Sequence, residues 1–222
     1  MIQIDFETLN TTPDSIMINM AMVQFPDVSD EEAWAVILDK GGFIHLVNDC
    51  SDIVKFDVTS QRKTRTLSQS TVEFWKSQPV EARTQLQKSD RDLSLMDALE
   101  RIKMFFKANF DARHDLLYSR GNAFDISIID NYMTSLGYDS HEIFRFWNVR
   151  DVRTDIGSVL MKRKMDKCHL RKDMLEGYIQ HNPIHDCCKD IMMMYYAQQY
   201  SLGNIEYPSK DESHPVTVDS RS

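Results

Sequence analysis

The residues best suited to chemistry fall at three places. Asp5-Phe6-Glu7-Thr8 closes an apolar N-terminal run, Ile2-Gln3-Ile4. Arg120-Gly121-Asn122-Ala123-Phe124-Asp125 and His185-Asp186-Cys187-Cys188-Lys189-Asp190 follow much later. Asp5, Glu7, Asp125 and Asp190 supply four carboxylates, and His185 an imidazole. Hard divalent cations prefer carboxylate oxygens. An imidazole that titrates near about pH 6.5 can take a proton from water. The chemistry open to such a set is hydrolysis of a phosphodiester assisted by two metal ions.

Each group has to be placed before it can act. Strand side chains alternate between faces, so Asp5 and Glu7 point the same way, about 7 Å apart. Two like charges on one face need a counter-charge or open water. Asp125 starts a helical pattern whose apolar row is Ile128, Ile129, Tyr132, Met133 and Leu136, and it falls on that inward row. A carboxylate there is costly to bury unless paired or metal-bound, although a helix N-terminus favours negative charge. Asp190 shares a row with Cys187, Met194 and Ala197, so it too looks inward. His185 lies five residues before Asp190, a rotation of roughly 140° in a regular helix. Pro183 therefore sets the helix start just after itself and leaves His185 at the entrance or in a loop. Asp186 competes with Asp190 as a ligand and reads as a helix-start residue. His181 and His185 with Cys187 and Cys188 offer a zinc set, but no second cluster at zinc-finger spacing accompanies them.

Ile2 to Thr8 alternates as a strand, and Ser15 to Phe25 is a second strand bounded by Pro13-Asp14 and Pro26-Asp27. Residues 33–38 and 43–47 flank Lys40-Gly41-Gly42 and read as a hairpin or tight turn. Helical patterns follow at 70–76, 79–86 and 93–110, the last with Leu95, Ala98, Ile102, Phe105 and Phe106 at helical spacing. Residues 116–119 and 144–149 read as short strands; 124–136, 151–164 and 186–200 read as helices. From Gly203 the chain is polar, with little to bury, and is expected to be mobile or draped on the surface. This order predicts an α/β fold: a mixed sheet with antiparallel N-terminal strands, flanked by helices.

At 222 residues the chain suits a single domain with an ample core. No apolar run is long enough to span a bilayer, and no secretory signal pattern is visible. Four cysteines, two of them adjacent, read as reduced intracellular thiols. A net charge of −8 argues against nucleic-acid binding by the whole surface. It leaves room for local basic stretches, here Lys162-Arg163-Lys164 with Lys167, Arg171 and Lys172, and Arg62, Lys63 and Arg65.

Together these residues resemble the 3′–5′ exonucleases of the DEDDh class. Asp5-Phe6-Glu7-Thr8 is similar to that family's first motif, Phe124-Asp125 to its second, and His185 with Asp190 to its His-x4-Asp third. Longer strings are similar to the exodeoxyribonucleases of T-even-type bacteriophages: Ser70-Thr71-Val72-Glu73-Phe74-Trp75-Lys76, Phe146 to Thr154, Leu170-Arg171-Lys172 and Ile184-His185-Asp186-Cys187. The resemblance implies a ribonuclease-H-like domain over 1–203 and a polar tail over 204–222. It implies two divalent metal ions, Mg²⁺ or Mn²⁺, held by Asp5, Glu7, Asp125 and Asp190, with His185 as general base. The partner would be the 3′ end of single-stranded DNA, with RNA as the alternative substrate and an inert nucleic-acid-binding module as the alternative of another class. No membrane is expected, and the location would be cytoplasmic, in the host if the chain is phage-encoded. Thr8 and Leu9 are placed to contact the last nucleotide, Phe124 and Trp75 to stack on a base, and Arg150 and Arg153 to follow the phosphate backbone. Two departures bear on substrate choice: Gly121 stands where many members carry Asn, and Leu9 where others carry Thr or Gly.

Overall fold

The computed structural model describes residues 1–161 and 167–218. Its centre is a five-stranded sheet in the order β3-β2-β1-β4-β5. The strands are β1 (Ile2–Thr8), β2 (Met17–Gln24), β3 (Ser51–Lys55), β4 (Leu117–Ser119) and β5 (Val149–Asp151). β1, β2 and β3 pair antiparallel, while β4 and β5 run parallel to β1. The helices are α1 (Glu31–Asp39), α2 (Phe43–Asp49), α3 (Val58–Gln61), α4 (Gln69–Ser77), α5 (Val80–Arg83), α6 (Leu95–Asn109), α7 (Asp125–Ser135), α8 (Val152–Val159) and α9 (Pro183–Ser201). The mixed α/β expectation holds.

Alternation along β1 divides the molecule. Ile2, Ile4 and Phe6 point into a core shared with α6 and α7, through Ile102, Phe106, Ile128 and Tyr132. Gln3, Asp5 and Glu7 occupy the opposite face, the one covered by α9. There Ala21 and Val23 of β2 meet Ile191, Met194 and Tyr195. The β1–β2 register shifts between Glu7 and Thr8. Such an irregularity re-aims the chain at a strand end.

Two expectations need correction, and a third holds in part. Residues 33–38 and 43–47 are not hairpin strands; they lie in α1 and α2, and β3 is the third strand. Asp30 caps α1 by accepting the Ala33 N–H at 3.0 Å, and Glu31 and Glu32 fill its first turn, where the helix dipole favours them. Trp34 and Ile37 then bury one face at three-residue spacing, and Gly41 and Gly42 turn the chain at positive φ. The strand expected at 144–149 is displaced to β5, because Phe146–Asn148 forms a 3-10 turn. The polar tail is draped but well anchored. His214 N–H donates to Leu170 O at 2.8 Å, and wholly buried Thr217 accepts from Leu170 N–H at 3.1 Å.

Of the basic stretches, Lys162, Arg163 and Lys164 lie outside the described residues. Arg65 is a buried brace, donating to Ser15 O at 2.7 Å and Pro13 O at 3.1 Å. Among the described residues no helix is long and apolar enough to cross a membrane.

Candidate active site

The cleft opens where β1 and β4 end. β4 runs out at Ser119, and Gly121 turns at φ 110° into α7. Asp125 occupies the first turn of α7, 1% exposed, and accepts the Phe6 N–H at 3.0 Å. That bond ties the helix start to the middle of Asp5-Phe6-Glu7. From the other side comes α9. Its N-cap is Asn182, whose side chain accepts from Ile184 N–H at 3.1 Å and His185 N–H at 3.4 Å, with Pro183 next in line.

A cleft of about 570 Å³ results, with Asp5, Glu7, Arg120, Phe124, His181, Asp186, Lys189 and Asp190 among its walls. Within it Glu7, His181 and Asp186 each bring a ligand-type atom within 4.8 Å of the others. His181, in the left-handed region at φ 61°, donates its N–H to Asp186 Oδ2 at 2.9 Å. Non-glycine residues held there concentrate at functional positions. Its ring meets Phe74 and Trp75 at 5.2 and 6.0 Å, between the main cleft and a second cavity of about 340 Å³.

The sequence expectation fares unevenly here. Asp5, Glu7 and Asp125 converge. Asp190 reaches the cleft, but it is committed to cations: Arg120 Nη1 at 2.9 Å and Lys189 Nζ at 3.7 Å. His185 does not face the cleft. Its Nδ1 accepts the Ile179 N–H at 2.9 Å and its ring stands edge-on to Phe43 at 5.5 Å. The reason is helical phase. His185 lies inside α9, five residues from Asp190, and cannot share its face. His181 lies before the helix and can. Asp186, weighed in the sequence as a competing ligand, and His181, weighed there only in a zinc set, are the residues brought to Glu7; the sequence did not single out Tyr178, whose hydroxyl donates to Asp186, or Lys189, 2.6 Å from Asp186. A signal was present: Asn182-Pro183 is an N-cap and first-turn pair, and His181 to Asp186 repeats the His-x4-Asp spacing.

Thr8, Trp75 and Phe124 line the second cavity, although the Trp75 indole N–H is spent on Thr8 O at 2.9 Å. Leu9 lines neither; its N–H goes to Ile16 O and its carbonyl accepts from Ser68. Arg150 turns back onto Trp147 O and Val149 O, and Arg153 lies over Gly121, outside both cavities. Cys187 and Cys188 are buried, with no place in the cleft.

The electrostatics follow from crowding. Burial, then the neighbouring carboxylates Glu7, Asp125, Asp186 and Asp190, pushes Asp5 well above the usual carboxylate range. Burial, then Asp186 and Asp125, does the same to Glu7. Burial raises Asp125 to about 7 against the bond from Phe6. Neither Asp5 nor Glu7 takes a hydrogen bond or ion pair from a described side chain. Half-buried, crowded carboxylates in this condition gain most from a bound cation. Burial lowers both His181 and His185, so each imidazole is neutral near pH 7, and position alone separates them.

A family model described as a 3′–5′ exoribonuclease Rv2179c-like domain matches residues 1–198. The chain belongs to that family. It is also 33% identical, over 228 residues covering 97% of this chain and 96% of the relative, to an exodeoxyribonuclease of Enterobacteria phage T4. Among solved structures it resembles E. coli Exonuclease I in complex with a dT13 oligonucleotide, at a TM-score of 0.53 and 13% identity over 91% of this chain and 42% of that one. The same enzyme with a dA16 oligonucleotide matches at 0.52 and 13%, over 90% and 42%. The chain spans about two fifths of the length of Exonuclease I, and the likeness carries the fold. This member of the family is a nuclease of the 3′–5′ exonuclease class, with the ribonuclease-H-like fold that the motifs implied.

Proposed function

We propose that this nuclease removes nucleotides one at a time from the 3′ end of single-stranded DNA and releases 5′ mononucleotides. The observation that carries the reading is the convergence of Glu7, His181 and Asp186 beside Asp5 and Asp125. An all-oxygen carboxylate set fits Mg²⁺ or Mn²⁺. Asp5, Glu7, Asp125 and Asp186 would hold two such ions, with Asp186 replacing Asp190 in the expected set. Bound there, the ions would make water acidic enough to attack near neutral pH and offset charge on the leaving 3′ oxygen. His181, neutral and poised at the mouth of the cleft, takes the proton from the attacking water. Tyr178 and Lys189 orient Asp186. Arg120 and Lys189 pair with Asp190 and leave it as the support of that wall. The second cavity, with Thr8 and Phe124 on its sides, takes the terminal nucleoside, and Trp75 braces the floor. Arg150 and Arg153 then meet phosphates further up the strand.

DNA is favoured because the relative that matches nearly end to end is an exodeoxyribonuclease. RNA is the second reading, from the family model's description. An enzyme of this kind in a phage would work in the host cytoplasm. The test is a time course on a 5′-labelled single-stranded DNA oligomer and its RNA twin, with Mg²⁺ and with chelator. The expected result is a metal-dependent ladder shortening from the 3′ end, faster on DNA. Faster loss of RNA would move the chain to the exoribonuclease reading. Cleavage in excess chelator would overturn the metal mechanism, and no shortening of either strand would leave an inert binding module.

A further inference from the structure

Most large apolar side chains here are buried, yet Phe146 is 75% and Trp147 55% exposed, side by side in one short turn. Adjacent exposed aromatic rings of this size call for a reason. They are not loose. Asn148, 3% exposed, locks the turn from below: its amide donates to Ala112 O at 3.0 Å and Asp115 O at 2.8 Å, and its Oδ1 accepts the Arg145 N–H at 2.7 Å. Arg150 braces it again through Trp147 O at 2.9 Å. The rings meet edge to face, 4.9 Å apart, and both are largely open to solvent.

The surroundings say what could cover them. Arg145, Arg150 and Arg153 make no ion pair with a described residue. Of the acids close in sequence, Asp151 spends its oxygens on the Gly121 and Thr154 N–H groups at 2.9 and 3.0 Å, Glu142 pairs with Lys103 at 2.9 Å, and Asp155 lies within electrostatic reach of Arg150 without forming an ion pair. Three guanidiniums without an ion pair among the described residues, close in sequence to the two rings, suit a polyanion even on a chain of net −8. β5 connects this turn to the cleft. Phe146 and Trp147 precede Val149, while Asp151, at the other end, accepts the Gly121 N–H at 2.9 Å on the cleft loop. The separation is on the order of 10 Å. Arg153, its Nη1 3.3 Å from where a Gly121 Cβ would stand, lies at the cleft end of this route.

We propose that the Phe146–Trp147 turn is a stacking platform for bases several nucleotides upstream of the 3′ end, with Arg145, Arg150 and Arg153 carrying the intervening phosphates of a single strand. Every base has a π-face, so such a platform holds any sequence while the cleft works on the terminal nucleotide. The proposal rests on the nuclease reading for its direction, and it predicts that affinity grows with strand length.

The test uses the full chain. Trp34 and Trp75 are buried, at 0% and 2%, so Trp147 is the accessible one of the three tryptophans, and Trp147→Phe separates its share of the signal from that of Trp75, which lines the second cavity. In chelator, an oligothymidylate of about twenty nucleotides should quench the Trp147 emission saturably, and Phe146→Ala should weaken that titration. With Mg²⁺, the Phe146→Ala/Trp147→Ala variant should lose about tenfold or more in kcat/KM on the long strand. Its kcat/KM on a dinucleotide should stay within about twofold, and Trp147→Phe should restore most of the loss. Unchanged emission, an unchanged rate on the long strand, or an equal fall on both substrates would overturn the platform. The unchanged rate would assign the rings to a protein partner instead. Saturable quenching in a wild-type protein that cleaves neither substrate would support the platform and refute the nuclease reading.

Discussion

His181 and His185 stand four residues apart, each five residues before an aspartate, and the molecule uses them in opposite ways. His181 precedes α9 in a left-handed backbone conformation, joins Glu7 and Asp186, and opens on the cleft. His185 is inside the helix, takes the Ile179 N–H on Nδ1 and packs on Phe43. Their aspartates divide in the same way. Asp186 meets the metal-type cluster, whereas Asp190 is neutralised by Arg120 and Lys189. Identical spacing therefore carries no role by itself; the point where the helix begins decides which pair turns inward.

The largest effect that would sharpen this contrast is on Asp186. Asp186→Asn should lower kcat by about 10³-fold or more, since several kcal/mol of transition-state charge stabilisation would pass through the ions that Asp186 is proposed to hold. Calorimetric titration with Mn²⁺ should show weakened binding. Asp190→Asn should keep most metal affinity; the reverse ranking would return Asp190 to the ligand set. Next come the histidines. His181→Ala should cut kcat by about 10²–10⁴-fold with Mn²⁺ binding largely kept. His185→Ala should stay within about tenfold of wild type while losing about 1–3 kcal/mol of stability, because the Ile179 N–H is left unpaired. A dead His185→Ala variant with an unchanged melting temperature would break the comparison.

Asp190→Ala is a stability experiment. Removing a carboxylate that is 3% exposed deletes its contacts with Arg120 and Lys189, a loss of about 3–5 kcal/mol in urea unfolding. A neutral result would mean that this ion pair does not hold the α9 wall.

The smallest effect is on pH dependence. Burial raises Asp125 from an ordinary 3.8 to about 7, so without metal the folded state binds its proton more tightly than the unfolded chain does. Between those values the native protein carries the extra proton, and stability falls as pH rises. In chelator the melting temperature should drop by about 5 °C or more from pH 5 to pH 8. Mg²⁺ should raise it most at the alkaline end. A chelated protein most stable at pH 8 would contradict the crowding of carboxylates around Asp125.

Much of this was legible beforehand for local reasons. The period of β1 put Asp5 and Glu7 on one face. The inward row of α7 placed Asp125, and Ile102 with Phe106 marked α6. What misled were stretches where apolar content conceals period. Residues 33–47 are β-prone by composition but are capped and buried as α1 and α2. α9 buries residues on every side, so its apolar pattern alone does not mark its start. The Phe146–Trp147 pair reads as strand because aromatic residues favour strands, and only the anchored Asn148 turns it outward.

The sequence by itself determined the class of chemistry, since aspartates, a glutamate and a histidine in this order leave few uses, and it determined the mixed sheet through local period and turn residues. The tertiary structure alone decided that His181 and Asp186 meet Glu7 while His185 packs on Phe43 and Asp190 pairs with Arg120 and Lys189. It also brought the C-terminal segment against Leu170 and set two aromatic rings facing solvent. Those outcomes depend on where a helix begins and on contacts between residues far apart in the chain, and no local pattern encodes either.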